Sequence, residues 1–356
     1  MKIDRRPAGW SAALLGVAGL AYAIMHKQRV SKARQELKGK VVLITGGSRG
    51  LGFAIARELA LSGARLALTA RDGAELDRAK ARLEASGCAA PADVWIHPCD
   101  VSVQAQVRDL VTAATGHYGR IDVVVNNAGI ILVGPLESQT LESFHQAMNI
   151  NFFGALHTTL AVLPQMLVRG EGAIVNIASI GGKVAFPHLL PYVASKFALT
   201  GWSQGLRAEL TGRGIRVTTV SPGVMRTGSH IQARFTGDAE QEYRWFAAAA
   251  SLPGTGANAT VAAKKIVSAL AMGSAEVSIG LQAMIAARCS NIAPEWTAAL
   301  LSLANASLPE PPIPSNPDFW QAEQSVAGKA FRGSLPSVIE RLGFKLIERY
   351  NQEQGA

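Results

Sequence analysis

Thr45-Gly46-Gly47-Ser48-Arg49-Gly50-Leu51-Gly52 decides the fold of this 356-residue chain, because of what stands on either side of it. Before it runs Val41–Thr45, a short β-branched stretch that reads as a strand. After it, Leu51–Leu61 has helical periodicity. Glycines at such a strand–turn–helix junction let the backbone approach a diphosphate closely. The helix start then supplies amide donors and the positive end of its dipole. Glycines alone would equally mark a tight turn; the setting is what points to a nucleotide.

The same alternation continues outward. Leu66–Ala70, Val94–His97, Val123–Asn126, Ile174–Ala178 and Arg216–Val220 read as further strands, with Asp72–Glu84 and Val103–Thr115 among the intervening helices. Apolar strands separated by amphipathic crossovers predict an α/β fold: a single Rossmann-type doubly wound parallel sheet with helices on both faces. This domain is placed at residues 38–280 and closes with helices at Gln241–Ala250 and Ala259–Met272 and a short strand at Glu276–Gly280. Residues 281–356 form a predicted helical C-terminal extension. It holds the apolar stretch Trp296–Leu308, the irregular EPPIPSNP at 310–317, and a helix at Pro336–Gln352 with Val338, Leu342, Phe344, Leu346 and Tyr350 among its apolar positions.

Residues 1–37 read differently. Pro7–Met25 carries no charge, is bounded by Lys2, Arg5 and Arg6 before it and Lys27, Arg29 and Lys32 after it, and has Trp10 and Tyr22 near its ends. As a helix it would reach about 28 Å, marginally enough to cross a hydrocarbon core. A retained membrane anchor is expected, with a surface or partner helix and a cleaved signal as alternatives. The heavier basic flank on the C-terminal side predicts that the α/β domain lies in the cytoplasm, membrane-associated by that single helix. The net charge of +9 comes without an aromatic–basic platform, so no nucleic-acid partner is expected. Three scattered cysteines without a CxxC pair argue against a disulfide framework, and the seven histidines lack metal-ligand spacing.

Cofactor preference is read at the end of the second strand, Leu68-Thr69-Ala70-Arg71. A site for NAD commonly places an acidic side chain there; this chain has Ala70 and Arg71, with Arg49 in the glycine loop. Two guanidinium groups suit a 2′-phosphate, so NADP(H) is expected over NAD(H). Solvent-facing arginines at helix starts are the alternative. Asp100, just past the third strand, is a candidate acceptor for the adenine amino group.

From this point the chain resembles the classical short-chain dehydrogenase/reductase family, across most of residues 40–230. The carriers are TGGSRGLG (45–52), Asn126-Asn127-Ala128-Gly129, NINFFG (149–154), IVNIASIGG (174–182), Tyr192-Val193-Ala194-Ser195-Lys196 and Ser221-Pro222-Gly223 followed by Thr227. The resemblance implies Asn151, Ser179, Tyr192 and Lys196 as catalytic, with Asn149 the weaker choice for the asparagine. It implies cofactor contacts from Thr45, Gly46, Ser48, Arg49, Gly50, Leu51, Gly52, Arg71, Asp100, Val101, Asn127, Ala128, Gly129, Tyr192, Lys196, Pro222, Gly223, Val224 and Thr227. It also implies that Asn151 holds a water linking Lys196 to solvent.

The chemistry supports these positions independently. Pro191 suits a helix start, and Tyr192 and Lys196, four apart, share one helix face. A phenol titrates near 10, and a neighbouring ammonium favours its anion, so the Tyr192 pKa is expected to fall. Tyr192 would exchange the proton with the alcohol oxygen while Ser179 orients that oxygen. The expected activity is NADP-dependent interconversion of a carbonyl compound, a hydrophobic ketone or aldehyde, and its alcohol; the alternative is a non-catalytic NADP-binding sensor or scaffold. The resemblance places a substrate lid at Met225, His230, Ile231, Phe235, Tyr243, Trp245 and Phe246, residues that could equally pack in the core. Ile131, Leu132, Val133, Ala185, Phe186 and Leu189 are candidates to complete the pocket. The extension past Leu281 departs from compact family members, so a homodimer is expected rather than a tetramer.

Overall fold

The computed structural model describes residues 24–25, 27–251, 256–311, 325–331, 333–334 and 336–352. A first helix, α1, covers residues 27–35. It is followed by β1 (Val41–Thr45), α2 (Gly50–Ala60), β2 (Arg65–Ala70), α3 (Gly73–Ala85), β3 (Val94–Pro98), α4 (Gln104–Tyr118), β4 (Val123–Asn126) and β5 (Leu132–Val133). Next come α5 (Leu141–Met148), α6 (Gly154–Arg169), β6 (Gly172–Ile177), α7 (Leu190–Leu210), β7 (Ile215–Pro222), β8 (Met225–Arg226), β9 (Arg234–Phe235) and α8 (Ala239–Ser251). The described chain closes with β10 (Ala257–Asn258), α9 (Ala259–Met272), β11 (Glu276–Ile279), α10 (Leu281–Ile292), α11 (Pro294–Asn305), β12 (Val326–Ala327) and α12 (Ser337–Arg349).

Seven strands form one parallel sheet in the order β3-β2-β1-β4-β6-β7-β11. Its central strands are apolar at nearly every position because both faces are covered. Val42, Ile44, Leu66 and Leu68 pack under α2, α3 and α9, while Val41, Leu43, Ala67 and Val124 pack under α4 and α6. Strand order reverses between β1 and β4, so the loops after these strands diverge and open a crevice at the sheet's carboxyl edge. Two short sheets flank that edge: β5 pairs with β9, which pairs with β12, and β8 pairs with β10.

The strand and helix expectations agree with the structure to within a few residues. The short strands β5, β8, β9, β10 and β12 and the helices α5, α6 and α10 are not among the elements read from the sequence. Two-residue strands carry too little periodicity to be seen. Parts of SLPGTGAN and EPPIPSNP lie outside the described residues.

The membrane expectation is corrected. Among the described residues no helix is long and apolar enough to cross a membrane. The N-terminal helix that is described, residues 27–35, is basic, and charged side chains are costly within hydrocarbon. It is tied to the domain instead: Arg34 pairs with Glu58 of α2 at 3.1 Å. The apolar run ahead of it, through residue 23, lies outside the described residues.

Candidate active site

The glycine loop is held between β1 and the segment after β4. Thr45 Oγ1 accepts hydrogen bonds from the Asn127 and Ala128 amides at 3.0 and 3.1 Å, and Asn127 Nδ2 donates to the carbonyls of Thr45 and Gly46. Gly46 and Gly50 have φ of +63° and +58°, a region that glycine enters without a Cβ penalty. Gly52 is required by space: a Cβ there would lie 2.0 Å from the Gly46 carbonyl oxygen. Below the loop, Asn126 Nδ2 donates to Asn176 Oδ1 at 2.8 Å, and Asn176 Nδ2 donates to Ser203. These bonds pair the amide nitrogens of both asparagines inside the sheet.

At the end nearest β2 and α3, Ser48 and Arg49 meet a carboxylate. Ser48 Oγ donates to Glu75 Oε2 at 2.9 Å, and Arg49 Nη1 donates to Glu75 Oε1 at 2.5 Å. Arg71 is exposed at the mouth. Asp100 Oδ1 accepts from the backbone amide and hydroxyl of Ser102 at 2.9 and 2.7 Å.

At the other end, four polar side chains converge. Pro191 lies in the first turn of α7, and Tyr192 and Lys196 follow on that helix. Ser179 sits two residues past β6, capping a short turn at Ile180–Gly182, where its Oγ accepts from the Gly181 amide at 3.0 Å. A Cβ on Gly181 would fall 3.2 Å from the Tyr192 ring and 3.4 Å from Ser179 Oγ, so the two side chains close around that glycine. Lys196 Nζ donates to the Ile177 carbonyl at 2.9 Å and lies 5.8 Å from the centre of the Tyr192 ring. Asn151 projects inward from a π-helical turn, Asn149–Phe153, inserted between α5 and α6, a feature frequent at functional sites. Its Oδ1 accepts from the Ile130 amide at 2.8 Å, and its Nδ2 donates to the Ile130 carbonyl and to Ser195 Oγ. Asn149 is exposed, which separates the two asparagines.

The charges differ from expectation in one respect. Burial raises the Tyr192 pKa above its ordinary value, opposed by a hydrogen bond with Ser179. The expected fall is therefore corrected: desolvation of the phenolate prevails. Burial also lowers the Lys196 ammonium, to about 8.

One cavity of about 780 Å³ joins the two ends. Of the expected site residues, Thr45, Gly52 and Asn151 stand behind its wall, and the others line it. The lid residues divide. Met225, Ile231, Trp245 and Phe246 face the cavity. His230, Phe235 and Tyr243 are buried, Phe235 and Tyr243 meeting edge-to-face at 5.5 Å within a small core. Ile131, Phe186 and Leu189 line the pocket as expected, whereas Leu132 and Val133 are buried in β5 and Ala185 is exposed. The extension adds Leu301, Ala304 and Leu308 to the wall, and also Gln352. Glu75, Ser195 and Gln352 were missed. Ser195 lies inside the Tyr192–Lys196 motif, but only its bonds to Asn151 and to the Tyr192 carbonyl show why.

A family model described as short chain dehydrogenase matches residues 40–236. An Anopheles gambiae protein named dehydrogenase/reductase SDR family protein 7-like is 37% identical over 220 residues, 62% of this chain and 69% of that one. Among solved structures, a short chain dehydrogenase/reductase from Burkholderia phymatum in complex with NAD aligns with a TM-score of 0.66 at 26% identity, covering 79% of this chain and 99% of that one. A gluconate 5-dehydrogenase from Burkholderia cenocepacia in complex with NADP and tartrate aligns with a TM-score of 0.60 at 27% identity, covering 71% and 98%.

Proposed function

The chain belongs to the short-chain dehydrogenase/reductase family, and from that premise we propose that it interconverts a hydrophobic ketone or aldehyde and its alcohol with NADP(H) as cofactor. The carrying observation is the convergence of Ser179, Tyr192 and Lys196 at one end of a cavity whose other end is the glycine loop. The Rossmann-type sheet and the oxidoreductase class follow from the family; NADP preference, residue roles and substrate are our reading.

The residues present fit a dinucleotide. Gly52 has no room for a Cβ, Gly46 and Gly50 take positive φ, and the helix α2 begins directly behind them. Ser48, Gly50, Leu51, Asn127, Ala128, Gly129, Val101, Pro222, Gly223, Val224 and Thr227 would hold it, with Thr45 and Gly52 shaping the loop. Asp100 would take the adenine, and Arg49 and Arg71 a 2′-phosphate. When bound, the nicotinamide supplies or removes the hydride.

The chain's own side chains handle the proton. Ser179 Oγ donates to the substrate oxygen and orients it toward the phenol. The Tyr192 hydroxyl donates its proton as a carbonyl becomes an alcohol, and takes one back in the reverse direction. The raised Tyr192 pKa keeps the phenol protonated, which suits donation. Lys196, held by the Ile177 carbonyl, would reach the cofactor ribose, and Asn151 steadies the Ile130 segment and Ser195 beside it. A wall of Ile131, Phe186, Leu189, Ile231, Trp245 and Phe246 favours an apolar substrate. Domain limits of 38–280 for the catalytic unit and 281–356 for the extension are part of the same reading.

The test is NADPH and NADH binding followed by turnover against ketones and aldehydes graded in hydrophobicity. NADPH-selective turnover that rises with hydrophobicity and falls by a factor of about 10²–10⁴ in Tyr192→Phe, with cofactor binding retained, is expected. Full turnover in that variant would refute the role given to Tyr192.

A further inference from the structure

The C-terminal extension returns to the glycine loop. The Gly50 amide donates to the Tyr350 carbonyl at 2.7 Å, and Asn351 Nδ2 donates to the Ser48 carbonyl at 2.7 Å. Asn351 has φ of +55°, a left-handed conformation that Asn tolerates better than most residues, and it turns the chain onto the loop. Arg82 of α3 donates to Asn351 Oδ1 at 3.4 Å, and Gln232 Nε2 donates to the Gln352 carbonyl at 2.9 Å. Tyr350 anchors the segment, buried at 3% exposure with its hydroxyl 3.2 Å from Thr260 Oγ1 of α9.

Gln352 is the residue this arrangement delivers. It is 2% exposed and lines the cavity beside Gly50 and Leu51. Its amide packs on Gly50 so closely that a Cβ there would lie 2.8 Å from Nε2. Its Oε1 is buried without a hydrogen-bond partner. A buried amide oxygen left unpaired is unfavourable, and such groups in native structures call for an explanation. The amide offers donors that suit diphosphate oxygens and an acceptor that suits a ribose hydroxyl.

We infer that Tyr350-Asn351-Gln352 is an integral part of the dinucleotide site, with the Gln352 side chain binding the diphosphate–ribose portion of the cofactor. This rests on the dinucleotide reading given above. Tyr350 and Asn351 position Gln352, and Gln352 makes the contact. Because the diphosphate and the nicotinamide ribose are common to both nicotinamide dinucleotides, a contact there adds affinity without choosing between them, whereas the adenosine ribose carries the 2′-phosphate in only one.

The experiment is fluorescence titration of the full chain with NADPH and NADH, for the wild type, Gln352→Ala and the near-isosteric Gln352→Glu, with cofactor-free melting temperatures recorded alongside. Losing a hydrogen bond to a charged group predicts a Kd about tenfold higher in Gln352→Ala for both cofactors. Gln352→Glu, which sets a carboxylate against a diphosphate, should weaken binding further, and that excess should shrink as salt is raised. Unchanged or tighter binding in both variants would overturn the inference, as would losses that merely track a lowered melting temperature. A wild type that binds neither cofactor would instead overturn the dinucleotide reading itself.

Discussion

Lys196 carries a prediction whose size can be worked from the structure. Burial lowers its ammonium from 10.5 to about 8, while in the unfolded chain it returns to its ordinary value. Between those values the unfolded state binds a proton that the folded state does not. Stability from this group therefore rises with pH, is complete above the unfolded pKa, and is lost as pH falls through about 8. At about 1.36 kcal/mol per pKa unit, the gain from pH 7 to pH 9.5 is about 2 kcal/mol. The neutral, similarly sized Lys196→Met variant lacks it. Denaturant unfolding of cofactor-free wild type and variant at both pH values isolates the effect, because titrations elsewhere cancel in the difference. Wild-type stability relative to the variant should improve by about 2 kcal/mol at the higher pH. A flat difference, or one favouring the variant at high pH, would refute the assignment of a desolvated ammonium.

Three further outcomes are expected. Glu242 is buried, with its oxygens 2.6 Å from His188 Nδ1 and from Trp245 Nε1; Glu242→Ala leaves both donors unpaired and should cost about 1–3 kcal/mol in denaturant unfolding. Since Trp245 also lines the cavity, KM in that variant should rise more than kcat falls, whereas equal changes would argue against a role in shaping the pocket. Gly52→Ala forces a Cβ to within 2.0 Å of the Gly46 carbonyl, and the strain should lower stability by about 1–3 kcal/mol and weaken NADPH binding in a titration. Arg71→Glu should cut the ratio of NADPH to NADH affinity by about tenfold or more, and a ratio left intact would assign any 2′-phosphate contact elsewhere.

Much of the site was legible because its parts are local. Tyr192 and Lys196 share a face through helix geometry alone, and the glycine spacing at 46, 50 and 52 encodes a turn that needs no distant partner to be recognised. Asn151 was distinguished from Asn149 by resemblance, and the structure supplies the physical difference: the π-helical turn buries one and exposes the other. The expected lid residues were half legible. Aromatic residues in 225–246 announce packing, but the pairing of β9 with β5 turns Phe235 inward, and Phe246 from the following helix lines the cavity. Nothing in the local pattern sets that choice. The Tyr192 pKa was misread for a related reason: proximity to Lys196 follows from spacing, whereas desolvation depends on everything packed around the ring.

By itself the sequence determined the sheet, the glycine cradle and the four-residue spacing of Tyr192 and Lys196, because hydrophobic periodicity and backbone permissiveness act over a few neighbouring residues. Only the tertiary structure decided which aromatics face the cavity and that Glu75 holds Arg49. It alone brought Asn351 against Ser48, 303 positions away. A contact of that span leaves no periodic trace in the chain; it exists because α12 packs where it does and carries Tyr350, Asn351 and Gln352 back to the loop.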